Sequence, residues 1–234
     1  MMSPLRYEYD FSFVTGKKKT FVTYIDQDTL EIIPHSHELQ PAQWTQLSYR
    51  QCPCCPLVPA DHSHCPIAVN LFELVSAFRA IASYESCRVS CRTAERTVSK
   101  ETNVQDGLSS IMGLIMATSG CPVMEILKPM ARFHLPFATI DEAMFRSVSV
   151  YLLRQYFIHL ESGSSDFHLA KVRAYYSEIE KVNGGILERI RGASELDADR
   201  NAIVILNCLA QFLYLELDDN LQSLRHLFDT SASS

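Results

Sequence analysis

Arg50 to Pro66 reads RQCPCCPLVPADHSHCP. This stretch decides the fold, because the hydrophobic pattern differs on its two sides. Before it, apolar residues alternate as in strands; after it, they recur mostly at helical spacing. It also holds four of the eight cysteines (Cys52, Cys54, Cys55 and Cys65) and two histidines, His62 and His64. A segment so rich in proline cannot continue a helix or a central strand, so it reads as a loop joining two kinds of structure.

Upstream, Tyr7, Tyr9, Phe11 and Phe13 alternate with Glu8, Asp10 and Ser12, the period of a half-buried strand. Thr15 to Lys18 turns the chain, Thr20 to Ile25 returns, and Leu30 to Ile33 forms a short third strand. Pro34 to Tyr49 reads as irregular, with Trp44 as a core plug. Downstream, Pro66 to Ile81 places Ile67, Leu71, Leu74, Val75 and Phe78 on one helical side. Alternation returns over 84–98, a strand that joins the N-terminal sheet with Cys87 and Cys91 on one face.

The body is then helical. Thr102 and Gln105 form a capping-box pattern for a helix ending near Ser119, with Gly120 past its end. Pro122 to Met130 reads as a short helix interrupted at Pro129. Thr139 and Glu142 make a second capping box, opening a helix to about Leu160. The next helix runs from about Asp166 and is broken at Asn183-Gly184-Gly185. Asp197 is placed to cap an apolar helix over 198–217, and a short helix follows within 220–228. The expectation is one α+β domain over 1–234: a β-rich head (7–49), the cysteine-rich loop (50–66) and a mainly helical body (67–228). A small N-terminal antiparallel sheet packs on a C-terminal helical bundle.

Several functional classes are disfavoured. The net charge of −6 argues against a generic nucleic-acid binder. The N-terminus MMSPLRYEYDF lacks the apolar core of a signal peptide. The most apolar run, Ala202 to Leu217, is short and carries Asn207, Gln211 and Glu216, so it reads as a buried helix or a homo-oligomer interface. A cytoplasmic location follows, where clustered cysteines point to metal or thiol chemistry over disulfides. No glycine-rich phosphate loop, Rossmann fingerprint or serine nucleophile elbow is present.

Cys52 and Cys55 form a C-x2-C pair, a spacing that grips one metal from a tight turn. Cys52, Cys55, Cys65 and Cys121 are each followed by proline, and the other four cysteines are not. At Cys65 and Cys121 that proline suits the first position of a helix, which puts the cysteine at the N-cap. There the free N–H groups and helix dipole favour a thiolate. Cys52, Cys55, Cys65 and Cys121 are therefore the first-choice ligands, with Cys54, His62, His64 and His134 in reserve. Four thiolates suit zinc; an iron–sulfur cluster is the alternative. A different reading makes Cys121 a nucleophile with His134 as base, and Glu142 and Arg146 lining the same pocket. The plainer reading of Glu142 is a capping residue paired with Arg146. The expected role is binding or regulatory, with a protein or small-molecule partner.

Several phrases occur together: Q-C-x2-C-P-L from Gln51, C-P-x-A-x-N-L from Cys65, S-Y-E from Ser83, S-G-C-P from Ser119, K-P-M-A-R-F-H-L-P-F-A from Lys128 and Y-L-L-x-Q-Y-F from Tyr151. In these the chain resembles an uncharacterised bacterial protein family, a domain of unknown function covering nearly the whole chain. The resemblance implies a cytosolic bacterial protein and treats Cys52, Cys55, Cys65 and Cys121 as one set. It brings no activity, substrate or cofactor. Cys54 departs from its pattern, which counts against Cys54 as a ligand.

Overall fold

A computed structural model describes residues 3–34, 42–193, 197–219 and 221–228. The alternating aromatic stripe forms the central strand of the sheet. β1 (Leu5–Phe13) buries Tyr7, Tyr9, Phe11 and Phe13. β2 (Lys18–Ile25) pairs antiparallel on one edge, and β4 (Ser86–Arg92) on the other, with Tyr9 opposite Cys91 and Phe13 opposite Cys87. β3 (Ile32–Ile33) and β5 (Thr97–Asn103) complete the order β3-β2-β1-β4-β5.

The expected single strand over 84–98 is therefore a hairpin. Thr93 turns it, donating its N–H to the Arg96 carbonyl at 2.8 Å. β5 was hidden because it is an edge strand, TVSKETN, with no buried residue and no apolar alternation to find. Its presence moves the next helix start. α2 (Val104–Thr118) is capped by Asn103, which accepts the Asp106 N–H at 3.0 Å, while Thr102 binds the Asp106 side chain instead of capping.

One layer of helices covers the inner face of the sheet. α1 (Pro66–Phe78) buries Ile67, Ala68, Leu71, Leu74, Val75 and Phe78, and the rings of Phe78 and Phe11 lie 4.8 Å apart. α2 approaches through Gly107, where an added Cβ would lie 2.5 Å from Phe11. Trp44, in a 3-10 turn at Gln43–Thr45, is buried and packs near Phe72, as a core plug should.

Beyond α2 the chain takes the turn at Gly120, whose φ of +83° suits glycine. Where one helix was expected over 122–130, the chain makes a turn, a 3-10 segment (Glu125–Leu127) and a one-turn α3 (Lys128–Arg132), so Cys121 precedes a turn and is not the helix N-cap that its proline suggested. Pro129 sits near the start of α3, where its missing N–H is harmless. α4 (Ile140–Ser162) opens with the full Thr139–Glu142 capping box and stops at Gly163. α5 (Ala170–Ile190) and α6 (Ala198–Asp218) pack on each other, and α6 also packs on α2. α7 (Gln222–Arg225) closes the described chain.

Two helix-end expectations fail for local reasons. Asn183-Gly184-Gly185 does not break α5, which runs straight through it. Each helical glycine costs about 1 kcal/mol, a cost that tertiary packing offsets at Gly185. Asp197 stands at the start of α6 but makes no capping bond there. Its carboxylate instead accepts from the Ser83 N–H at 2.9 Å and the Ser83 hydroxyl at 3.0 Å, pinning α6 to the segment after α1.

Candidate functional site

The cysteine loop is held at both ends by backbone pairing. Cys65 donates its N–H to the Thr45 carbonyl at 2.8 Å, and Leu47 donates to Ser63 at 3.0 Å. Cys65 is the N-cap of α1, with Pro66 in the first turn, as its sequence position requires. Within the loop, the Cys55 N–H bonds to the Cys52 carbonyl at 3.0 Å, closing the tight turn a C-x2-C pair needs. Asn70, one turn into α1, donates to the carbonyls of Pro66 at 2.8 Å and Ser119 at 3.5 Å. That amide joins the start of α1 to the end of α2, and so brings Cys121 to the neighbourhood of Cys65.

The thiols are close enough to feel one another. Cys52 interacts electrostatically with Cys65, Cys54 and Cys55, and Cys121 with Cys65 and Cys55. Burial is the main influence on each. It pushes the Cys52 thiol up to about 12, reinforced by the neighbouring sulfurs and opposed by Arg189. It pushes Cys121 up to about 11, opposed by the N–H groups of Val123 and Met124 that face its sulfur. Both are therefore protonated thiols at neutral pH. Among the described residues, no three His, Cys, Asp or Glu side chains converge into a ready metal cage. The donor set itself is four soft sulfurs, which suits zinc or an iron–sulfur centre. Ligation would need the sulfurs to swing inward and lose their protons.

The reserve residues face elsewhere. Cys54 points to the Glu178 carbonyl on α5 at 3.7 Å. His62 is exposed, and His64 meets the Ser63 hydroxyl at 2.8 Å.

Arg189 and Gly185, both on α5, complete this side of the molecule, and neither stood out in the sequence. Arg189 is fully buried and donates to the carbonyls of Trp44 at 2.9 Å, Gln46 at 2.6 Å and Leu47 at 2.9 Å. Among the described residues no carboxylate pairs with it, and its Nε has no partner. A buried cation without a carboxylate favours nearby negative charge, and the Cys52 sulfur is the nearby group able to carry it. Gly185 is what lets Cys52 approach: a Cβ there would lie 2.4 Å from the Cys52 sulfur. The available signal was a Gly-Gly pair inside an otherwise helical pattern, which marks close approach as well as a break.

His134 belongs to a different feature. A cavity of about 390 Å³ lies between α2, α4, α5 and α6, and His134, Arg146, Tyr176 and Asn183 are on its wall. Leu114, Met124, Met144, Leu206 and Leu213 make much of the rest apolar. His134 Nε2 lies 2.5 Å from the Tyr9 hydroxyl, which is 2.9 Å from Ser110 Oγ. Ser110 in turn accepts the Phe137 N–H at 3.2 Å. Tyr9 thus links Ser110 to His134 in one hydrogen-bonded chain. Burial, with a contribution from Arg146, holds His134 down to about 3, which keeps it neutral.

Arg146 donates to the carbonyls of Met130 at 2.9 Å and Phe133 at 2.8 Å, and among the described residues it has no ion pair within 4 Å. Glu142 serves the capping box and is exposed. Cys121 and His134 make no hydrogen bond to each other among the described residues. His134, Arg146 and the cavity thus form one neighbourhood, and the four Cys-Pro cysteines form another.

A family model described as "Domain of unknown function (DUF6901)" matches residues 7–229. The chain belongs to the DUF6901 family. The match spans the sheet, the cysteine loop and the helices, so both neighbourhoods lie inside the DUF6901 domain. No curated protein and no solved structure matches the chain. Among the described residues no helix is long and apolar enough to cross a membrane.

Proposed function

We propose that this protein is a metal-binding protein of binding or regulatory role, holding zinc through Cys52, Cys55, Cys65 and Cys121. What supports the reading is that thiols from three separated segments lie near enough to influence one another's ionisation. Cys52 and Cys55 come from the loop turn, Cys65 from the start of α1, and Cys121 from the turn after α2. Arg189 supports it: a four-thiolate zinc centre is anionic, and this cation lies buried beside Cys52. Zinc there would staple the loop to α1 and to the end of α2. An iron–sulfur cluster is the alternative on the same sulfurs. A cytoplasmic, reducing location would keep these thiols available for metal.

Elemental analysis of protein purified without chelator tests this. The expected result is close to stoichiometric zinc, with loss on Cys65→Ser and on Cys121→Ser. Visible cluster absorbance with iron would replace zinc as the metal while keeping the ligands. Protein that contains neither metal, takes up no added zinc and keeps its melting temperature on Cys65→Ser would sink the proposal. A closed structural zinc site contributes several kcal/mol to folding, on the order of 10 in zinc-finger peptides.

A further inference from the structure

The cavity opposite the cysteine face contains a polar group that the fold itself does not use. Asn183 is 2% exposed and lies on the cavity wall. Among the described residues its carboxamide makes no hydrogen bond. Asn183 also stands in the middle of α5, where leucine or alanine would favour the helix more. Tyr176, Ile179 and Asn183 follow the i, i+3, i+7 spacing that puts them on one stripe of α5, and all three line the cavity. The Tyr176 hydroxyl lies beside Ser147 and Arg146. Arg146 and Tyr176 sit together, about two helical turns from Asn183.

From this geometry we infer that the cavity binds a small, mainly apolar, uncharged molecule whose one hydroxyl, carbonyl or amide group is held by Asn183. The volume, about 390 Å³, falls in the range of roughly 300–1,000 Å³ typical of small-molecule pockets. The lining is mainly apolar, with polar and charged side chains such as Lys100, Asp106 and Arg146 interspersed. A carboxamide offers both a donor and an acceptor, so it serves a hydroxyl, carbonyl or amide equally. A charged head beside Asn183 is disfavoured, because a neutral carboxamide carries no charge to pair with it. This site is independent of metal binding.

Calorimetric titration with octanol, octanamide and octanoate as probes tests the inference on the full chain. Octanol and octanamide are expected to bind below millimolar concentration, and octanoate more weakly. Asn183→Leu keeps the branched side-chain shape, removes the amide, and should weaken octanol and octanamide by about tenfold or more. Ala143→Phe, at the cavity wall, should abolish binding by filling the space while the protein stays folded by circular dichroism. The inference is overturned if neither neutral probe binds at millimolar concentration, or if Asn183→Leu binds them as the native chain does. It is equally overturned if octanoate binds best and only an Arg146 substitution weakens it. Should Asn183→Leu fail to fold, undiminished binding in Ala143→Phe alone would be decisive against it.

Discussion

α5 separates two regions of opposite character. On one side, Gly185 lets the Cys52 sulfur press against the helix backbone, with no room for a methyl group. On another side, Asn183 faces a cavity of about 390 Å³. Residues two apart on a helix point about 200° apart, so one Asn-Gly-Gly segment serves both regions. The cysteine side is tight, built on sulfur and held by the buried Arg189. The cavity side is roomy and apolar, with a neutral His134 on its wall. The lesson is that helix-weakening residues inside a continuous helix mark what lies beside it. Gly185 is there for close approach. Asn183 stays although the helix alone would favour another residue.

The sharpest way to break the comparison is to remove the cation from the tight side. Arg189→Met leaves three backbone carbonyls without their donor, and should destabilise the protein by about 3–5 kcal/mol in urea unfolding. An effect under about 1 kcal/mol would show that the cation does not organise this side. Next, Gly185→Ala should cost about 1–3 kcal/mol through overpacking against Cys52. The double variant Gly185→Ala with Cys52→Ala should recover part of that, which locates the clash at the sulfur.

On the cavity side the effect is one of pH. His134 has a folded value of about 3, below the unfolded value of about 6.5. The unfolded chain therefore binds the extra proton first as pH falls. Stability contributed by the neutral ring is present above pH 6.5 and is lost progressively from there toward pH 3. The groups facing the ring are Tyr7 and Tyr9 from β1 and Arg146 from α4. None offers a negative charge to a protonated imidazole. His134→Gln should flatten the acid limb by on the order of 1–2 kcal/mol near pH 4, allowing for water that reaches the ring through the cavity. A native-like acid limb in that variant would mean carboxylates alone set it.

The smallest effect has the opposite sign. Gly184 has no heavy atom within 4 Å of a built Cβ, so Gly184→Ala should raise stability by about 0.5–1 kcal/mol through helix propensity and a less free unfolded chain. A loss instead would show that the flexibility of this segment is used.

Much of the architecture was legible because its signals are local. The Tyr7–Phe13 alternation gives β1 its buried face, Cys65-Pro66 starts α1, and Thr139 with Glu142 opens α4. β5 was not legible, since an exposed edge strand needs no apolar face and so shows no alternation, although β4 beside it in the chain is its pairing partner. Asp197 misled for a non-local reason: it looks like a cap, but Ser83, distant in sequence, takes its carboxylate.

The sequence by itself determined the α+β division at Arg50–Pro66 and singled out Cys52, Cys55, Cys65 and Cys121 by their prolines. Periodicity, capping chemistry and proline geometry act over a few residues, so they can be read along the chain. Only the tertiary structure decided that Arg189 is buried beside Cys52, that Gly185 admits its sulfur, and that His134 and Asn183 share a cavity away from the cysteines. Those facts depend on which surfaces meet when helices and sheet pack, and that choice is made by the whole core at once.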